Sequence, residues 1–83
     1  METRVALLGI VIENKDSIEQ VNMLLHEYRQ YIIGRMGIPY EKRGVNIISI
    51  AMDAPVDVIS ALSGKIGRLS GVSAKAVYSK LPE

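Results

Sequence analysis

The chain has 83 residues, of which 48% are hydrophobic and 23% charged, proportions that suit one small folded domain over residues 1–83 and exclude a disordered polar chain or a collagen-like or coiled-coil rod. Ten Lys and Arg against nine Asp and Glu leave a net charge of +1, which supplies no global field for nucleic acid or an anionic membrane. The absence of cysteine excludes disulfide frameworks, thiolate zinc sites, thiolate-bound iron–sulfur clusters and cysteine nucleophiles.

Met1-Glu2-Thr3-Arg4 precedes an apolar run from Val5 to Ile12. That run is too short to span a membrane and lacks a signal-peptide cleavage site, so no membrane contact is expected and a cytoplasmic location is the default. Its β-branched composition predicts a buried strand, ended by the polar cluster Glu13 to Ser17. Asp16 or Ser17 is expected to cap a helix whose apolar positions, Ile18, Val21, Leu24, Leu25 and Tyr28, recur at helical spacing and whose end falls near Arg29. Tyr31 to Ile38 reads as a second strand bulged at its glycines, followed by Pro39 and the charged turn Glu41-Lys42-Arg43-Gly44. Val45 to Met52 is a third strand. Pro55 then suits the first position of a second helix capped by Asp53 or Ala54, with Val58, Ile59, Leu62, Ile66 and Leu69 as its apolar stripe. Gly71 stops that helix before a fourth strand, Val72 to Ser79.

The order β-α-β-β-α-β, with two similar halves and right-handed crossovers, predicts an α+β ferredoxin-like sandwich: a four-stranded antiparallel sheet with both helices on one face. Such a sheet should read apolar on one face and polar on the other. Here Val5, Leu7 and Val11 oppose Ala6, Leu8, Ile10 and Ile12, and Val45, Ile47 and Ala51 oppose Ile48, Ile50 and Met52. Both faces call for burial, so a homo-oligomer, dimer or tetramer, is expected through the open face. Ser49, Ser73, Lys75 and Ser79 fit the opposing reading of a partly wet face.

The chemistry available is sparse. His26 is the only histidine and lies away from the apolar stripe of its helix, with Met23 beside it, which is far from a closed metal site, so no metal and no cofactor are expected. Glu13, Asp16, Asp53 and Asp57 fall where carboxylates favour helix N-termini, and Glu13 and Asp53, which end matching strands, are expected near each other at one sheet edge. No phosphate-binding glycine loop follows a strand, and without Phe or Trp the sheet offers no base-stacking platform for RNA. Arg29, Arg35, Lys42 and Arg43 form a basic set near the second strand that suits an anion or a carboxylate.

Three segments carry a resemblance: Gly34-Arg35-Met36-Gly37-Ile38-Pro39-Tyr40, Asn46-Ile47-Ile48-Ser49-Ile50, and the stretch from Leu62 to Val72 with its Gly64-Lys65-Ile66-Gly67-Arg68 core. Through them the whole chain resembles the small proteins known as iron-only hydrogenase system regulators, an ACT-like group related to the C-terminal domain of nickel-responsive repressors. The resemblance implies a regulatory domain that assembles through its sheets. It does not carry over a nickel site, which in those repressors takes several histidines and a cysteine. Nor does it carry over the glycine that amino-acid-binding ACT domains place after the first strand, where this chain has Glu13-Asn14-Lys15-Asp16. With four residues before Val5, no direct DNA binding is expected. The expected function is therefore a non-enzymatic sensor that binds a small-molecule effector or a partner protein, with Asn14, Asp16, Ser17, Gly34, Arg35 and Gly37 as candidate contacts. The alternatives are a small acylphosphatase-like enzyme and a purely structural assembly subunit.

Overall fold

The computed structural model of the chain describes residues 2–80. Strand β1 (Arg4–Ile12) leads through a 3₁₀ turn (Lys15–Ser17) into helix α1 (Ile18–Glu27) and a second 3₁₀ turn (Arg29–Tyr31). Strands β2 (Ile32–Tyr40) and β3 (Val45–Ala54) form a hairpin, followed by helix α2 (Val56–Gly67) and strand β4 (Val72–Tyr78). The sheet has the order β2-β3-β1-β4 with every neighbour antiparallel, which is the ferredoxin-like arrangement expected from the element order.

The core follows from the two-residue period of the central strands. Ala6, Leu8, Ile10 and Ile12 of β1 and Ile48, Ile50, Met52 and Ala54 of β3 are buried, and they pack with Val21 and Leu25 of α1 and Ile59, Leu62 and Ile66 of α2. At ~25 cal/mol per Å² of apolar surface removed from water, these large side chains supply the main drive to fold. Lys65 of α2 donates a hydrogen bond to Tyr28 Oη (3.0 Å) and lies 5.3 Å from that ring's centroid, tying α2 to the end of α1. That hydrogen bond, with the charges on Tyr28 and Glu27, holds the exposed Lys65 ammonium above its ordinary range.

Several local expectations change. The first cap is Asn14, whose Oδ1 accepts from the Asp16 amide (3.0 Å) to start the 3₁₀ turn; Ser17 precedes α1 without a capping bond because its hydroxyl is buried and donates to the Ser70 carbonyl at 2.7 Å. Pro55, not Asp53 or Ala54, is the N-cap of α2, and Ala54 still belongs to β3. Glu13 and Asp53 do not meet. Asp53 pairs with Val5 at the start of β1, whereas Glu13 follows Ile12 at its end, roughly 26 Å away at strand rise. Antiparallel pairing of β1 and β3 forces this separation. The register of β2 shifts once, between Ile32 and Gly34, so the irregularity lies at Ile33 and Gly37 sits in regular strand. Pro39 is tolerated because β2 is an edge strand, where a missing amide donor breaks no ladder.

Candidate functional site

Two surfaces stand out, one on each side of the sheet. The first is the open face. The pairing registers arrange it in rows that cross the sheet: Val77, Leu7, Ala51 and Gly34; then Lys75, Gly9, Ser49 and Met36; then Ser73, Val11, Ile47 and Ile38. Val77 is 68% exposed, Met36 61%, Leu7 49% and Ile47 40%, and Val5, Ile33, Ile38 and Tyr40 add to the same apolar expanse. An uncovered apolar patch of this breadth is uncommon on a monomer. Of the polar residues that favoured a wet face, Lys75 and Ser49 flank Gly9 and Ser73 ends the row through Val11 and Ile47, which leaves the row through Leu7 wholly apolar.

The second surface lies on the helix side, where α1 stops short of covering β2. Past the bulge, Arg35, Gly37 and Pro39 are the β2 residues facing α1, since they pair with Ile50, Ile48 and Asn46 of β3, the first two of which are core residues. Arg35 offers α1 a charged side chain, Gly37 none, and Pro39 only its compact ring. A cleft of about 220 Å³ remains there, lined by Ile18 and Asn22 of α1 together with Arg35, Gly37 and Pro39. Arg35 Nη2 crosses it to donate to Asn22 Oδ1 at 2.8 Å.

The expected contact residues therefore divide three ways. Arg35 and Gly37 share the cleft beside α1. Gly34 lies on the opposite, open face, paired with Ala51. Asn14 and Ser17 bind the loop after α2 instead: Asn14 Nδ2 donates to Ser70 Oγ (3.1 Å) and Ser17 Oγ to the Ser70 carbonyl, while Asp16 is exposed beside them. Asn22 was not singled out from the sequence, because nothing in its spacing links it to a strand residue thirteen positions later. His26 is exposed on the flank of α1 beside β2, and its carbonyl accepts from Arg29 Nη1 at 2.9 Å. Among the described residues no three His, Asp or Glu side chains converge, and no helix is long and apolar enough to cross a membrane.

Neither Gly34 nor Gly37 is a steric necessity, since a Cβ at either would meet no atom within 4 Å and neither adopts a positive φ. Gly37→Ala is expected to change unfolding free energy by no more than about 0.5 kcal/mol. Chemical denaturation checks this. A loss above about 2 kcal/mol would return the glycine to a structural role.

Compared with known proteins, residues 4–76 match the model of the family TM1266-like, described as "Iron-only hydrogenase system regulator, putative". The fold also superposes on the solved structure of the uncharacterized protein TM1266 from Thermotoga maritima, with a TM-score of 0.91 and 39% sequence identity over 95% of this chain and 100% of that one. No curated protein matches.

Proposed function

Because the chain belongs to the TM1266-like family of iron-only hydrogenase system regulators, we propose that it is a non-enzymatic regulatory domain that works as a homo-oligomer joined through the open face of its sheet. The observation that carries the assembly is the double-sided apolar character of the strands. Both helices cover one side, and the other presents Leu7, Val11, Met36, Ile38, Ile47 and Val77 to solvent.

The dimensions agree with a subunit contact. Four strands of about eight residues present roughly 19 Å by 27 Å, so two such faces bury on the order of 1,000 Å² together, the lower range for a specific protein interface. The β2 edge is less suited to pairing. Edge strand β2 carries a bulge, a proline and Arg35, devices that discourage strand addition. Stacking face to face is thus the favoured mode.

The regulatory part is tested in a host carrying an iron-only hydrogenase system together with this gene. Deletion is expected to change hydrogenase activity, and the change is expected to be reversed by the wild-type chain and not by a variant whose open face carries a charge. Unchanged hydrogenase activity after deletion would contradict the regulatory role, and full rescue by the charged variant would contradict the need for assembly.

A further inference from the structure

The cleft beside Arg35 continues along α1. A second hollow of about 340 Å³ shares Asn22 and Arg35 with it and adds Leu25, His26, Arg29 and Ile32. Together the two make one groove between α1 and the edge strand, with buried Leu25 and half-buried Ile32 beneath and polar groups along its rim. The ionic groups lining it are all cationic or basic: Arg35, Arg29 and His26, with no carboxylate among the lining residues of either hollow. In a chain whose charges nearly cancel, this is a local concentration of one sign.

Both guanidinium groups are already tethered. Arg35 is held by Asn22 through Nη2, and Arg29 by the His26 carbonyl through Nη1. A guanidinium has five N–H donors in a fixed fork, so each tether orients the group and leaves further donors for a planar or tetrahedral oxyanion. Asn22 accepts from Arg35 through Oδ1, which leaves its Nδ2 as another donor at the junction of the two hollows.

We propose that this groove binds a small oxyanion, a carboxylate or phosphate group of a compact molecule, with Arg35 and Arg29 as the charged contacts, Asn22 as a neutral donor and Leu25 and Ile32 as the floor. The site lies on the helix-covered side of the sheet. Its occupancy and assembly through the open face are therefore separate properties, measured separately.

The test is a titration of the full isotope-labelled chain with inorganic phosphate and, separately, with succinate, followed by amide NMR shifts at ionic strength held constant with chloride. Saturable shifts confined to Asn22, Leu25, His26, Arg29 and Arg35 are expected with at least one probe. Arg35→Gln and Arg29→Gln are each expected to weaken that binding about tenfold or more, the loss of a charge-assisted hydrogen bond, whereas Arg43→Gln in the hairpin leaves it unchanged. The dispersion of the same spectra reports whether each variant is folded. Response to phosphate alone identifies a phosphoryl ligand and response to succinate alone a carboxylate. Shifts that do not saturate with either probe, or equal weakening by Arg43→Gln, would overturn the site.

Discussion

Leu7→Glu is expected to convert the assembled protein into folded monomers. Leu7 stands in a central strand, half exposed, between Val77 and Ala51 in the middle of the open face. Its side chain points away from the core, so a carboxylate there meets water in the monomer and costs the fold little. In a face-to-face interface the same carboxylate is buried without a partner, which costs about 3 kcal/mol or more and weakens association about a hundredfold or more. Ile47→Glu, two rows over, should act in the same way. Light scattering after gel filtration, read beside circular dichroism, checks both. Retained assembly in Leu7→Glu and Ile47→Glu would place the subunit contact elsewhere, whereas unfolding of the monomer would contradict the assignment of these side chains to the open face.

Gly71→Ala is expected to destabilise the chain by about 2 to 4 kcal/mol, a fall in Tm of roughly 10 °C or more for a domain of this size. Gly71 has φ +68°, and a Cβ there would lie 2.6 Å from Asn14 Cβ and 3.0 Å from the Asn14 backbone nitrogen. Neither neighbour can withdraw. Asn14 caps the 3₁₀ turn and bonds Ser70, Glu13 N donates to the Gly71 carbonyl at 2.7 Å, and Ser17 holds the Ser70 carbonyl. The corner after β1 and the corner before β4 are interlocked, so the strain reaches both β-α-β halves. Thermal unfolding measures the effect, with Gly34→Ala as a control in open space. A loss below about 1 kcal/mol at Gly71 would show that the two corners can part at little cost.

How much of this was legible in the residues depends on how strongly each segment constrains its own geometry. In β1 and β3, apolar residues at both parities revealed two apolar faces, because the strand period is two and each face shows separately in the sequence. In β2 the pattern fails. Ile33, Gly34, Arg35, Met36 and Gly37 have no clear alternation, and the single-residue irregularity at Ile33 turns Arg35 toward α1 and Met36 toward the open face, a reversal that only the register reveals. The cap was read as Asp16 or Ser17, both good capping types, whereas Asn14 takes the role because Ser70, more than fifty residues away, engages the Ser17 hydroxyl. The pairing of Glu13 with Asp53 confused equivalence in the pseudo-repeat with proximity, which antiparallel β1 and β3 rule out. The groove beside α1 was legible only in part. Arg35 stood out as a cation within a strand, but Asn22 could be found only by folding the helix over it.

The central claim is that the open face of the sheet is covered by another copy of the chain, and native mass spectrometry of freshly purified wild-type protein tests it most directly. A dimer or tetramer that falls apart to monomers on Leu7→Glu is the expected spectrum. A wild-type chain that remains a bare monomer at micromolar concentration would contradict the claim and leave the apolar face to a different partner.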